Sequence, residues 1–116
     1  MSNFDWSRLD PVILSILENN SRQFFTAYQL ALLFKEEAEE LFNEIGLPIG
    51  GLETGERNSL ARTIATRYRR HSEVEYAELS DGGIDITFRD ETNTTKKASK
   101  NDGRYSLFRS QNAKSS

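Results

Sequence analysis

A chain of 116 residues, 36% of them hydrophobic, supports one small core flanked by polar segments. It has no cysteine and one histidine, His71, which excludes a disulfide framework, thiolate metal sites and His-rich zinc or catalytic sets. The net charge of −3 hides a division: residues 1–91 hold 9 Lys/Arg against 17 Asp/Glu, whereas residues 92–116 hold 6 against 1.

In chain order, Asp10-Pro11 offers an N-cap followed by proline at the first helical position, and VILSIL then reads as a core helix ending near Asn19-Asn20. Phe4 and Trp6 are expected to pack beneath it. Thr26 is the next N-cap. From Thr26 to Ile45 no Gly or Pro interrupts a helical stripe of Ala27, Ala31, Phe34, Ala38, Leu41 and Ile45, with Leu30 and Phe42 at its edges. Leu32 and Leu33 lie off that stripe and suit either a tertiary contact with the first helix or a dimer interface. Glutamates 36, 37, 40 and 44 fill the opposite side, and Gly46 with Pro48 supplies the stop. The segment 46–56 is a loop.

The next helix, within RNSLARTIATRYRRH (57–71), holds five arginines and no carboxylate. At about 100° per residue, Leu60, Ala61, Ile64, Ala65 and Tyr68 share one face. Ser59, Arg62, Thr63, Thr66, Arg69 and Arg70 share the other, with Arg67 at its margin. Guanidinium groups bind phosphates in a bidentate way and read guanine edges, and short hydroxyls bond phosphates or bases. A solvated basic face is the plainer reading of the same pattern.

After this helix, VEYAEL (74–79) and IDITFR (84–89) flank Ser80-Asp81-Gly82-Gly83, a hairpin signal. Ile84, Ile86 and Phe88 alternate with polar residues, so the second strand has one buried face. A two-residue turn sets Ala77 and Leu79 beside that row, and a three-residue loop sets Val74 and Tyr76 there. Residues 90–103 are polar and aperiodic, as in a disordered linker. RYSLFR (104–109) is a short strand or loose chain.

Three helices followed at once by a hairpin, the third helix being basic, resemble the winged helix-turn-helix superfamily over roughly residues 8–90. The resemblance implies an α+β fold of three helices and a C-terminal β-hairpin in a domain at 1–91, and the charge and polarity of residues 92–116 add the expectation of a flexible basic tail. It also implies that the third helix enters the major groove of duplex DNA while the wing touches the flanking backbone or minor groove. Ser59, Arg62, Thr63, Thr66, Arg69 and Arg70 fall on the face such a helix presents, and Arg89 falls in the wing. The expected role is a cytoplasmic, dimeric DNA-binding regulator; the alternative is a winged-helix-like module that binds a protein partner. The chain departs from the superfamily's pattern in its long 46–56 loop, its glutamate-rich second helix and the non-basic hairpin tip at 81–83.

No enzyme, metal or cofactor is expected. Gly50 and Gly55 have phosphate-loop spacing, but Glu56-Arg57 stands where lysine and Ser/Thr are required. The glutamates lack the alternating ligands of a calcium loop. His71, beside Arg70 in the last helical turn, suits a cap better than a base. No apolar run approaches the ~20 residues of a membrane span, and MSNFDWSRLD has neither the basic nor the apolar region of a signal peptide.

Overall fold

The computed structural model describes residues 5–50, 59–80, 86–89, 92–98 and 104–111. Asp5 caps a short 3-10 turn, Trp6–Leu9, by accepting bonds from the Ser7 N–H and hydroxyl. Helix α1, Asp10–Asn19, follows without a break. Its N-cap position therefore falls to Leu9, which makes no side-chain cap, and the expected capping role of Asp10 gives way to another contact. Ile13, Ile16 and Leu17 bury the inner face of α1.

Strand β1 is only Phe25–Thr26, and Thr26 then caps α2, Ala27–Glu37. The Thr26 hydroxyl accepts the Gln29 N–H at 3.1 Å and the Gln29 side-chain oxygen accepts the Thr26 N–H at 2.8 Å, a reciprocal capping box. The expected single helix from Thr26 to Ile45 is broken at Ala38 (φ −140°, ψ 61°), and α3, Glu39–Ile45, begins beyond it. A continuous helix would stack Glu36, Glu40 and Glu44 at i, i+4, like charges near the negative end of the helix dipole. The break places Glu39 and Glu40 in a first turn, where acidic side chains are favoured. It also shifts the apolar stripe: Ala27, Leu30, Ala31 and Phe34 are buried before it and Phe42 after it, while Leu41 and Ile45 are only half-buried. Gly46, at φ 72°, ends α3 in the left-handed conformation.

Helix α4, Leu60–Tyr68, buries Leu60, Ala61, Ile64 and Tyr68, as its apolar spacing predicts. The strand after it departs from expectation. Strand β2, Val74–Ser80, pairs with β5, Arg104–Ser110, and among the described residues not with residues 86–89 of the expected second strand. The three-stranded antiparallel sheet has the order β1-β5-β2, with Phe108 opposite Phe25 on one side and Tyr76 on the other. Strands β3, Thr87–Arg89, and β4, Thr95–Lys97, form a separate antiparallel pair. The expected turn at 81–83 and the start of the expected strand at 84–85 lie outside the described residues.

Two corrections to the domain division follow. Residues 104–110 form the central strand, with Tyr105 and Phe108 buried, so this part of the expected tail belongs to the domain. The expected linker at 90–103 holds β4, and Ala98 beside it is buried. Two aromatics in RYSLFR outweigh the polar surroundings, because burying each removes a large apolar area from water. The hairpin is tied to the rest of the domain at two points, where the Ile86 N–H donates to the Tyr105 hydroxyl and Phe88 stacks on Tyr28 at 4.9 Å, and the Ala98 N–H extends its own ladder by donating to the Ile86 carbonyl. The protein is thus a mixed α+β structure whose four described helices pack with a small antiparallel sheet.

Candidate nucleic-acid interface

The start of α4 is built from the chain that precedes it. Ser59 takes the N-cap position and its hydroxyl accepts the Arg62 N–H at 3.2 Å. The Leu60 and Ala61 N–H groups donate to the Pro48 and Ile49 carbonyls at 2.8 and 3.0 Å. Three of the free amides that a helix presents at its first turn are therefore already satisfied. Gly50 makes this packing possible: its φ is +119°, and a Cβ there would lie 2.9 Å from the Ser59 Cβ and Oγ. Ser59 is only 2% exposed. Its expected place on the outer face is corrected to the interior, because the capping bond turns its hydroxyl back onto the helix.

Thr63 is half-buried and its hydroxyl donates to the Ser59 carbonyl at 3.1 Å, so this expected contact is also engaged within the helix. Arg62 and Thr66 are exposed on the outer face, and Arg69 and Arg70 are exposed in the turn that follows. Arg62, Arg69 and Arg70 have no ion pair among the described residues; Arg69 lies 5.2 Å over the Tyr76 ring. Arg89 is exposed on the β3–β4 hairpin, where its Nη1 donates to Asn93 Oδ1 at 3.1 Å. Arg62, Thr66, Arg69 and Arg70 thus share one helix and its exit, while Arg89 stands on a separate element.

The margin of the arginine helix is bound inward. Arg67 donates from Nε and Nη2 to the two oxygens of Asp10, each at 2.9 Å, and the Tyr68 hydroxyl donates to Asp10 Oδ1 at 2.5 Å. The Arg67 bonds, helped by Tyr68 and opposed by burial, hold the Asp10 carboxyl below its ordinary range. Arg67 is raised by the same pair. Burial first, and then the Asp10 bond, pushes the Tyr68 hydroxyl up. Sequence reasoning missed this triad because a helix-starting Asp already had a role as a cap.

His71 accepts the Glu73 N–H on Nδ1 at 3.1 Å, so it shapes the turn from α4 into β2. On the other side of the charge balance, the break between α2 and α3 opens a shallow groove. Its lining includes Glu36, Glu37, Glu39, Glu40 and Glu44, with Arg8 bound to Glu44 in a two-point pair at 2.6 and 3.1 Å. Among the described residues no His, Asp and Glu grouping has the arrangement of a metal site, and no helix is long and apolar enough to cross a membrane.

Comparison with known proteins finds no matching family model, curated protein or solved structure. The chemistry of the arginine face is what carries a functional reading.

Proposed function

We propose that this chain is a DNA-binding protein, with the role of a transcriptional regulator, that meets duplex DNA through Arg62, Thr66, Arg69 and Arg70. One contrast carries the reading. Arg8, Arg67, Arg104 and Arg109 each hold a carboxylate, whereas Arg62, Arg69 and Arg70 hold none among the described residues. Exposed guanidinium groups concentrated at one helix and its exit are suited to phosphates and guanine edges. The order α1-β1-α2-α3-α4-β2-β3-β4-β5, with a sheet ordered β1-β5-β2, supports a winged-helix arrangement, in which the β3–β4 hairpin is an elaborated wing. Because the first amides of α4 are already bonded, phosphate contact falls to side chains and not to the helix N-terminus.

The acid-lined groove at the α2–α3 break favours a second reading, a module that docks a basic protein segment. Polarisation titration of a labelled random duplex at two salt concentrations tests the first reading. Steep weakening with salt, removed by replacing Arg62 and Arg70, is the expected outcome. Absence of binding at low salt overturns it.

A further inference from the structure

We propose that the outer edge of β2 pairs with the same strand of a second copy, in an antiparallel two-fold arrangement centred on Ala77. The inference stands apart from the DNA reading. It begins with the direction of the backbone groups. The Gln111 N–H donates to the Glu73 carbonyl at 3.0 Å, which extends the β2–β5 register by one pair. Hydrogen-bonded pairs alternate along an antiparallel ladder. The pairs 75–109, 77–107 and 79–105 therefore exchange bonds with β5, and the backbone N–H and C=O groups of Tyr76 and Glu78 face away from it. No strand covers that edge among the described residues.

An exposed edge is usually guarded by a strand of few residues, a proline or unpaired charge. Here β2 spans seven residues without proline. Its two carboxylates are neutralised from within the sheet: Glu75 by Arg109 at 2.7 Å and Glu78 by Arg104 at 3.2 Å. Leu79, on the same strand, is a large hydrophobic side chain left 47% exposed.

Charge and geometry select the register. Centring the axis on Glu78 sets that carboxylate opposite its own copy, which disfavours the pairing. Centring it on Tyr76 leaves Leu79 and Ser80 without partners. Ala77 is the midpoint, so all seven residues overlap. Tyr76 then opposes Glu78 of the second copy in a hydrogen-bonded backbone pair, where the phenol can exchange its 2.9 Å bond to Glu78 of its own strand for one to the other copy. Glu75 opposes the exposed Leu79. The Ala77 pair falls at a non-hydrogen-bonded position, where Cα atoms approach to about 4.5 Å and a small side chain fits.

The chain has no native cysteine, so single cysteines report the register directly. Under mild oxidation Ala77→Cys should form a disulfide-linked dimer, since about 4.5 Å lies within the span of a disulfide. Glu75→Cys and Leu79→Cys should remain largely uncrosslinked alone and crosslink when mixed. Wild-type protein should sediment as a dimer, and Ala77→Lys as a monomer with an unchanged far-ultraviolet dichroism spectrum. Mixing Ala77→Lys with Ala77→Glu chains should restore a heterodimer. A wild type that stays monomeric at all concentrations overturns the proposal. So does an Ala77→Lys protein that dimerises undiminished, or a Leu79→Cys protein that crosslinks alone as fully as Ala77→Cys.

Discussion

Asp10 and Arg67 lie 57 positions apart and meet in a two-point ion pair that fixes the start of α1 against the last turn of α4. The Tyr68 hydroxyl adds a third bond to the same carboxylate, so one side chain of α1 holds two consecutive residues of α4. The arginine helix therefore has a structural arginine at its margin and exposed arginines beyond it.

Replacing Asp10 with asparagine should cost about 1.5–3 kcal/mol near neutral pH, as expected for hydrogen bonds to a charged group. The carboxyl is depressed in the folded state by Arg67, so it binds its proton more weakly there than in the unfolded chain. Its contribution is then present above the ordinary carboxylate value of about 3.9 and is lost as pH falls through the lower folded value. Urea melts of both proteins at several pH values check this. The gap between them should be largest near neutrality and shrink on acidification.

Ile64 is fully buried on α4, and Thr66, two residues on, is exposed. Ile64→Ala should lose about 2–5 kcal/mol by the cavity it leaves. Thr66→Ala should change stability by under about 1 kcal/mol. Equal losses in denaturant melts would reverse the facing of the helix.

Removing residues 104–116 should unfold the domain, because it takes away the strand between β1 and β2. Phe108→Ala in the full chain should cost about 3–5 kcal/mol, as for other buried aromatics. Thermal melts followed by circular dichroism distinguish this from a dispensable tail, whose deletion would leave the melting temperature unchanged.

The helices were legible in the sequence wherever local chemistry decides: Thr26 with Gln29 three residues on, the Leu60–Ile64–Tyr68 spacing, and Gly46 as a stop. The break at Ala38 was concealed because apolar spacing continues through it, while the repulsion among glutamates is visible only when their spacing is weighed as energy. Pairing of β2 with residues 104–110 was concealed for another reason. Asp-Gly after Ser80 is a strong local turn signal, and choosing between two partner strands depends on nonlocal burial of Tyr105 and Phe108. At the candidate interface, exposure of Arg62, Thr66, Arg69 and Arg70 followed from periodicity. The burial of Ser59 did not, since it depends on Gly50 packing against it from across the loop.

The last prediction separates the two kinds of arginine on α4 and its exit. Arg62→Ala and Arg70→Ala remove exposed groups with no ion pair among the described residues, so both proteins should melt like wild type. If these side chains meet phosphates, each should lower the slope of log K against log salt by about 0.9 in a duplex titration. An arginine reading guanine should instead weaken binding by about 1–3 kcal/mol at one base pair and relax preference there. Arg67→Ala should behave in the opposite way. It leaves the Asp10 carboxylate with only the Tyr68 bond, so the main loss should appear in the melt, with a salt slope close to wild type in protein that remains folded. If Arg67→Ala changes the salt slope while Arg62→Ala and Arg70→Ala do not, the assignment of the outer face to DNA fails. Parallel melts and titrations of the three variants decide the matter.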